Sequence, residues 1–270
     1  MLQELPVVIK SAHFQGRTED NLGQLLSEGP MNSSGRQGIL PVSAYKREQA
    51  GISRRKLYPV TAFYTTFAVI MLVLGLRTGH PYEAIVFFLF GIPLWTFTEY
   101  TSHRWVFHRH WPMSTRKYKK YFTYLSHKFL DPTHFGHHER PFDGEHINGH
   151  LKDLLPVFLV CLPLSLIFPI YTAPMLLAGV VQCYVLEEWI HHCEHYYYFQ
   201  NSYFLHIKKS HLYHHSSRGV DRGYGITNAF WDVVFGTRYP PEIRQRLFGP
   251  SRFSRLPKPA EYHVDSRGLQ

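Results

Sequence analysis

The sequence predicts an all-α integral membrane protein: about four transmembrane helices, with a cytosolic helical cap holding a histidine-rich dimetal site. Three observations lead there. The apolar residues gather in long uncharged runs, although the mean hydropathy of the whole chain is mildly negative at −0.22. The formal net charge of +9 lies outside those runs. Of 19 histidines, 16 fall between His103 and His215.

Residues 1–50 mix Gly, Ser, Gln and charges without clear periodicity and read as a flexible tail. Asn32 opens a glycosylation sequon, but nothing else suggests translocation, and "LPVV" is too short for the apolar core of a signal peptide. The first apolar span, Tyr58 to Leu76, is 19 residues without a charge, close to the ~20 needed to cross a bilayer. The second runs from Ala84 to about Thr98 and ends at Glu99. A third run, Leu154 to Leu186, has 33 uncharged residues with Pro169 and Pro174 near its centre. It reads as two helices of roughly 16 residues joined by a tight turn, each about 24 Å long.

Four spans put both ends on one side. Arg36, Lys46, Arg47, Arg54, Arg55 and Lys56 precede the first span, and the segment from Arg109 to Lys152 is also basic, whereas the opposite loops near Arg77–Pro81 and Tyr171–Pro174 are short. The positive-inside rule then places the tail, the central segment and the C-terminal part in the cytoplasm. The membrane is the endoplasmic reticulum in a eukaryote or the inner membrane in a bacterium. The basic run is either a solvated face or a contact for anionic headgroups. Nucleic acid is not an expected partner, because no recognised binding motif accompanies the charge. Cys161, Cys183 and Cys193 form no CxxC pair and read as buried thiols. The organisation is thus residues 1–50 as tail, 51–240 as a membrane-embedded catalytic domain and 241–270 as a C-terminal tail.

The histidines form four clusters on that single side: His103 and His108 in "EYTSHRWVFH"; His134, His137 and His138 in "HFGHH"; His191 and His195 in "EEWIHHCEHYYYF"; His211, His214 and His215 in "HLYHH". Residues three and four apart share a helix face, so HxxHH puts three imidazoles on one stripe. His191 and His195 lie within about 40° of each other on a helix. His103 and His108, five apart, are about 140° apart on an ideal helix, so they serve different metals or sit at a distorted turn. Ten imidazoles exceed the ligand number of one ion, and two ions sharing them is the simplest arithmetic. Imidazole suits Zn, Cu, Fe and Ni and does not choose among them. The zinc-protease pattern HExxH is absent.

In order and spacing, HxxxxH, HxxHH, HxxxH and HxxHH resemble the fatty acid hydroxylase superfamily of histidine-rich, membrane di-iron oxygenases. "LWTFTEYTSHRWVFH", "HFGHHERPFDG" and "GYGITNAFWDVVFGT" are similar to segments of its fatty acid 2-hydroxylase branch. The resemblance covers about Tyr58 to Thr237. It implies ligands at His103, His108, His134, His137, His138, His191, His195, His211, His214 and His215. It also implies two iron ions (with zinc an occupant of purified protein), O2, and hydroxylation of a lipid acyl chain in a fatty acid or a sphingolipid such as ceramide. No His-Pro-Gly-Gly haem motif appears, so electrons are expected from a separate donor such as cytochrome b5 or ferredoxin. The competing readings are a carotenoid or sterol hydroxylase or desaturase on the same metal core, and a metal-binding membrane protein without oxygenase activity. The nearly apolar spans argue against a carrier.

Carboxylates at a membrane edge point to a role. Glu99 and Glu188 are expected either to accept hydrogen bonds from metal-bound imidazoles, to hold the lipid headgroup, or simply to face water. Around the last span's helix, Glu188 lies about 40° from the centre of the His191/His195 face, and His192 and Glu194 lie about 80° away, which makes His192 a bystander. Tyr196 to Tyr198 read as an interfacial aromatic belt. Gly223, Gly225 and Asn228 read as turn-formers, as does Asp143. His110, His127, His146, His150 and His206 fit no ligand stripe.

Overall fold

The computed structural model of the chain describes residues 42–109, 115–116, 119–120, 124 and 134–249. Asn32, the tail through residue 41, His110, His127 and everything beyond 249 lie outside the described residues. The chain divides into two units, residues 1–48 and 49–270. The first is described only from Val42, as opening turns of a helix, and every contact below lies within the second.

The described residues form helices and no strands. These are α1 (Val42–Leu76), α2 (Pro81–Ser102) leading into a π-helical turn (His103–Phe107), α3 (Gly144–Ile147), α4 (Leu151–Ser165), α5 (Ala173–Tyr196), α6 (Ser202–His214), α7 (Phe230–Val234) and α8 (Pro241–Phe248). Residues 134–139 are also helical. Four stretches are long and apolar enough to cross a membrane: Ser43–Leu76, Pro81–Phe107, Gly144–Ser165 and Ala173–Tyr196. Pro81 and Pro174 stand in the first turns of α2 and α5, where a missing N–H costs nothing.

The boundaries differ from the sequence expectation in instructive ways. Residues 42–50, read as tail, are helical, and α1 at 35 residues is about 52 Å long, well beyond the ~30 Å hydrocarbon core. Hydropathy marks only the part of a helix that lipid covers, so its polar continuation was invisible. The long apolar run breaks at residues 166–172, as its prolines suggested, and each half extends into charged sequence: α4 begins at Leu151, giving 15 residues, and α5 ends at Tyr196, giving 24. α5 continues past the last apolar residue to Tyr196 without a break. α8 likewise occupies part of the segment read as a C-terminal tail.

α5 is the centre of the bundle. Its apolar window is 56% buried, against 17–28% for the other three. Val60, Tyr64, Phe158, Val181, Tyr184 and Val185 join α1, α4 and α5 in one core, and Ala68, Met71, Ala84, Met175 and Ala178 join α1, α2 and α5 in another. The α2–α5 crossing is set by two glycines. A Cβ on Gly179 would lie 2.0 Å from the Phe88 carbonyl oxygen, and one on Gly91 would lie 2.5 Å from the Val180 nitrogen. Small residues let helix backbones meet in this way where lipid removes the hydrophobic drive between helices. Ile85, Val86, Leu89, Phe90, Val157, Val160, Leu164 and Ile167 point outward as an apolar surface.

The crossing yields a prediction. Gly179→Ala should lower the apparent melting temperature in detergent by an amount equivalent to about 1–3 kcal/mol of overpacking. Gly79→Ala, at a position with nothing within 4 Å of the added carbon, should leave it unchanged. Equal melting of the two variants would refute the tight crossing.

Candidate metal centre

Three of the four histidine clusters sit where a helix leaves its apolar stretch or ends. His191 and His195 occupy the last turns of α5, His211 and His214 the last turn of α6 with His215 as its cap, and His103 opens the π turn after α2. The π turn resolves the awkward five-residue spacing. The His108 N–H donates to the His103 carbonyl at 3.2 Å, an i→i+5 bond, and this wider turn brings both rings to one face with Nε2 atoms 3.3 Å apart.

The imidazoles assemble into two groups. His137, His191, His195, His211 and His215 form one, and His103, His108, His138 and His214 the other; within each, the potential ligand atoms all lie within 4.8 Å of one another. His134 sits against the second group, its ring centroid 4.6 Å from those of His108 and His138 and 5.0 Å from that of His103. The two HxxHH motifs do not deliver one stripe to one place. His134 and His138 lie with the second group while His137 turns to the first; His211 and His215 join the first while His214 turns to the second.

Hydrogen bonding cannot account for this packing. His211 Nε2 lies 3.1 Å from His191 Nε2, 2.8 Å from His195 Nε2 and 3.1 Å from His215 Nε2, and His191 Nε2 lies 3.0 Å from His137 Nε2. A neutral imidazole nitrogen offers either one proton or one lone pair, not three bonds. A cation with bonds of about 2.0–2.1 Å to nitrogen would hold neighbouring ligand nitrogens about 2.9–3.4 Å apart. The His134 and His138 Nε2 atoms are buried without a partner among the described residues. The donor set is therefore compatible with metal ions. Burial also keeps the rings neutral and their lone pairs free. Burial first and neighbouring imidazoles second bring His108 down to about 2 and His138 to about 3, and burial brings His214 to about 4. His134, His137, His211 and His215 are all held well below the ordinary imidazole range by burial and then by each other.

Backbone carbonyls aim two of the rings. Nδ1 of His103 lies 2.5 Å from the Tyr224 oxygen and Nδ1 of His214 lies 2.8 Å from the Arg222 oxygen. A donated Nδ1–H leaves each Nε2 as the lone pair facing the group. The loop bearing these carbonyls is itself held by two buried carboxylates. Asp232 accepts from the N–H groups of Tyr224 and Gly225 at 3.0 Å each and from the Thr237 hydroxyl at 2.6 Å. Glu99 accepts from the N–H groups of Ile226 at 2.7 Å and Thr227 at 3.1 Å and from the Thr227 hydroxyl at 2.6 Å. Gly223 has φ +69°, and a Cβ there would lie 2.3 Å from the Tyr239 hydroxyl, so both conformation and space require glycine.

Glu99 and Glu188 thus have partners other than those expected. Among the described residues their hydrogen bonds go to connecting segments and, for Glu188, also to the Tyr184 hydroxyl, not to imidazoles. Glu188 accepts from the Asn148 side chain at 2.8 Å and the Gly149 N–H at 3.3 Å, anchoring the entry to α4. His192 is a fully buried strut: its Nδ1 lies 2.7 Å from Ser53 Oγ, which also donates to Asn148. Glu194, about 80° from the His191/His195 face on a helical wheel, is fully buried, and its carboxylate lies 4.0 Å from His211 Nδ1. Asp143 caps α3. His146 pairs with Asp143, and His206 stacks on Phe248. Asp232 was missed outright, although a lone acid in the apolar stretch Ala229 to Phe235 was a readable signal.

Comparison with known proteins adds a family likeness. Residues 87–237 match the family model described as fatty acid hydroxylase. A dihydroceramide fatty acyl 2-hydroxylase of Arabidopsis thaliana is 37% identical over 152 residues, which is 55% of this chain and 58% of that protein. The ceramide very long chain fatty acid hydroxylase scs7 of Schizosaccharomyces pombe is 31% identical over 175 residues, covering 60% of this chain and 45% of that one. The fatty acid 2-hydroxylase of Homo sapiens is 30% identical over 157 residues, covering 57% and 39%. The match thus spans between two-fifths and three-fifths of those relatives. A solved structure of full-length scs7p, with only the hydroxylase domain visible, superposes with a TM-score of 0.57 at 26% identity, covering 69% of this chain and 67% of that one.

The loop anchors can be tested directly. Glu99→Ala leaves three buried donors without an acceptor, each costing about 1–3 kcal/mol, so the apparent melting temperature should fall sharply. Glu99→Gln keeps one carbonyl oxygen for the two N–H groups and should lose much less. Identical melting of both variants would show that the carboxylate does not hold the loop.

Proposed function

The chain belongs to the fatty acid hydroxylase family, and from that premise we propose that it is a membrane-bound, O2-dependent di-iron oxygenase hydroxylating a lipid acyl chain. The ten histidines named above are its iron ligands, five to each ion, and residues 51–240 are its catalytic domain. The substrate is a fatty acyl chain, free or carried in a ceramide or related sphingolipid, in keeping with the names of the relatives. Electrons come from a separate carrier such as cytochrome b5 or ferredoxin. The termini and the metal site lie on the cytosolic side. The observation that carries the reading is the convergence of the ring nitrogens, above all the three facing His211 Nε2.

Bound iron supplies the O2 activation that attack on an unactivated C–H bond requires. The rest falls to the chain's own residues. Neutral, desolvated imidazoles present lone pairs from helix ends, and the Tyr224 and Arg222 carbonyls fix two of their orientations. The outward faces of α1, α2 and α4 are apolar, so a lipid tail can reach the base of the cap without entering water. Burial of the ring groups keeps bulk water away from the reacting centre.

Expression in a host lacking such activity, followed by lipid mass spectrometry, tests the reading. The expected product carries one added oxygen; a product lacking two hydrogens would instead make the chain a desaturase. His191→Ala and His214→Ala, one from each group, should each cut product on the order of 100-fold. Unchanged product in both would sink the ligand assignment. Metal analysis should find two ions per chain and fewer in each variant. The count is the readout, because zinc also suits imidazole in purified protein.

A further inference from the structure

The loop that orients His103 ends in a feature that the metal centre does not use. α7 exposes Phe230 (61%), Val233 (52%) and Val234 (55%) side by side, an apolar face unusual for a segment in water. We infer that residues 226–236 are a membrane-penetrating element, with α7 lying inside the leaflet on the side of the metal centre and its apolar face covered by lipid acyl chains.

Three observations carry this. The first is depth. The Trp231 indole N–H donates to Thr96 Oγ1 at 3.1 Å, and Phe97 packs on Trp231 and Phe235 with centroids 4.9 and 6.4 Å apart. Thr96 is 12 residues beyond Ala84, where the uncharged part of α2 begins. That is about 18 Å of helix, against a hydrocarbon core of ~30 Å, and tilting α2 only shortens the projected height. α7 is therefore fastened below the surface of the leaflet, not above it. The second is continuity: exposed Leu94 and Phe97 on α2 carry the apolar face of α7 into the outward surface formed by Val86 and Phe90.

The third is the hydrogen bonding. Non-helical backbone at membrane depth is tolerated only where its polar groups are satisfied within the protein. The four consecutive N–H groups of Tyr224, Gly225, Ile226 and Thr227 are satisfied by the buried carboxylates of Asp232 and Glu99. The Thr227 carbonyl accepts from the Tyr203 hydroxyl at 2.6 Å.

The test places nitroxide labels at Val233→Cys and Val234→Cys in the full chain, with Cys161, Cys183 and Cys193 replaced by Ala, reconstituted in phosphatidylcholine vesicles. Val86→Cys on α2 and Glu242→Cys on exposed α8 are the lipid and water references. Collision with oxygen relative to a water-soluble nickel chelate should be several-fold higher at both α7 sites than at Glu242→Cys and should match Val86→Cys. A value equal to that at Glu242→Cys overturns the inference. A water-like value at Val86→Cys would overturn the spanning reading of α2, and the inference with it. The unaltered chain gives an independent measurement. In vesicles carrying an acyl-chain diazirine lipid, adducts should map to residues 230–235 as well as 84–94. Adducts on 84–94 alone count against it. Neither readout uses hydroxylase activity, so the failure of one reading leaves the other standing.

Discussion

His211 Nε2, with three other imidazole nitrogens 2.8–3.1 Å away, sets a condition that the surrounding structure has to meet. Rings this close repel as soon as they protonate and cannot satisfy one another when neutral. They stay together only if rigid elements bring them there. α5 supplies that rigidity. It carries two of the rings, and it is pinned in the bundle by backbone contact between Gly91 and Gly179, too close for any side chain to intervene. The apolar core and the polar site therefore depend on the same helix, and a shift of α5 in the membrane would displace the clustered ring nitrogens.

Buried carboxylates extend the same logic to the loops. Glu99 at the end of α2, Glu188 on α5 and Asp232 on α7 each accept from backbone or side-chain amides of a connecting segment. A carboxylate accepting several N–H groups is a strong anchor. For Glu99 the segment held is far away in sequence, and it lies beside the carbonyl that orients an imidazole. The path runs from Glu99 through Thr227 and Ile226 to the Tyr224 carbonyl and His103: α2 orients its own histidine by way of a loop some 120 residues away.

That distance explains what could and could not be read from the sequence. The spans were legible because lipid imposes a long uncharged run, and the clustering of the histidines was legible because it recurs four times in the sequence, although helical spacing set each HxxHH on one stripe where the structure divides it between two groups. The carboxylates' roles were not, because the partners of Glu99 and Glu188 lie 127 and 40 residues away. A helical wheel set Glu194 and His192 about 80° from the His191/His195 face, and neither falls in either imidazole group; the wheel could not show what they touch instead. Glu194 reaches toward His211 on α6, and His192 is held by Ser53 on α1. The start of α1 was hidden because hydropathy is silent about a helix once it leaves the lipid.

The two HxxHH motifs show most clearly how local pattern and tertiary placement combine. In each motif the first and last histidines, four apart, go to one group, and the middle one goes to the other. The assignment is crossed: His134 and His138 lie with the second group and His137 with the first, whereas His211 and His215 join the first and His214 the second. One short helix approaching a pair of centres can touch both, because residues i+3 and i+4 diverge by about 100°. With two such helices opposed, each centre takes rings from both motifs, and the His138 and His215 rings stack 4.4 Å apart where the sets meet. The two groups are thereby tied to the same two segments, so the spacing between them is fixed by helix geometry and does not depend on how the loops settle.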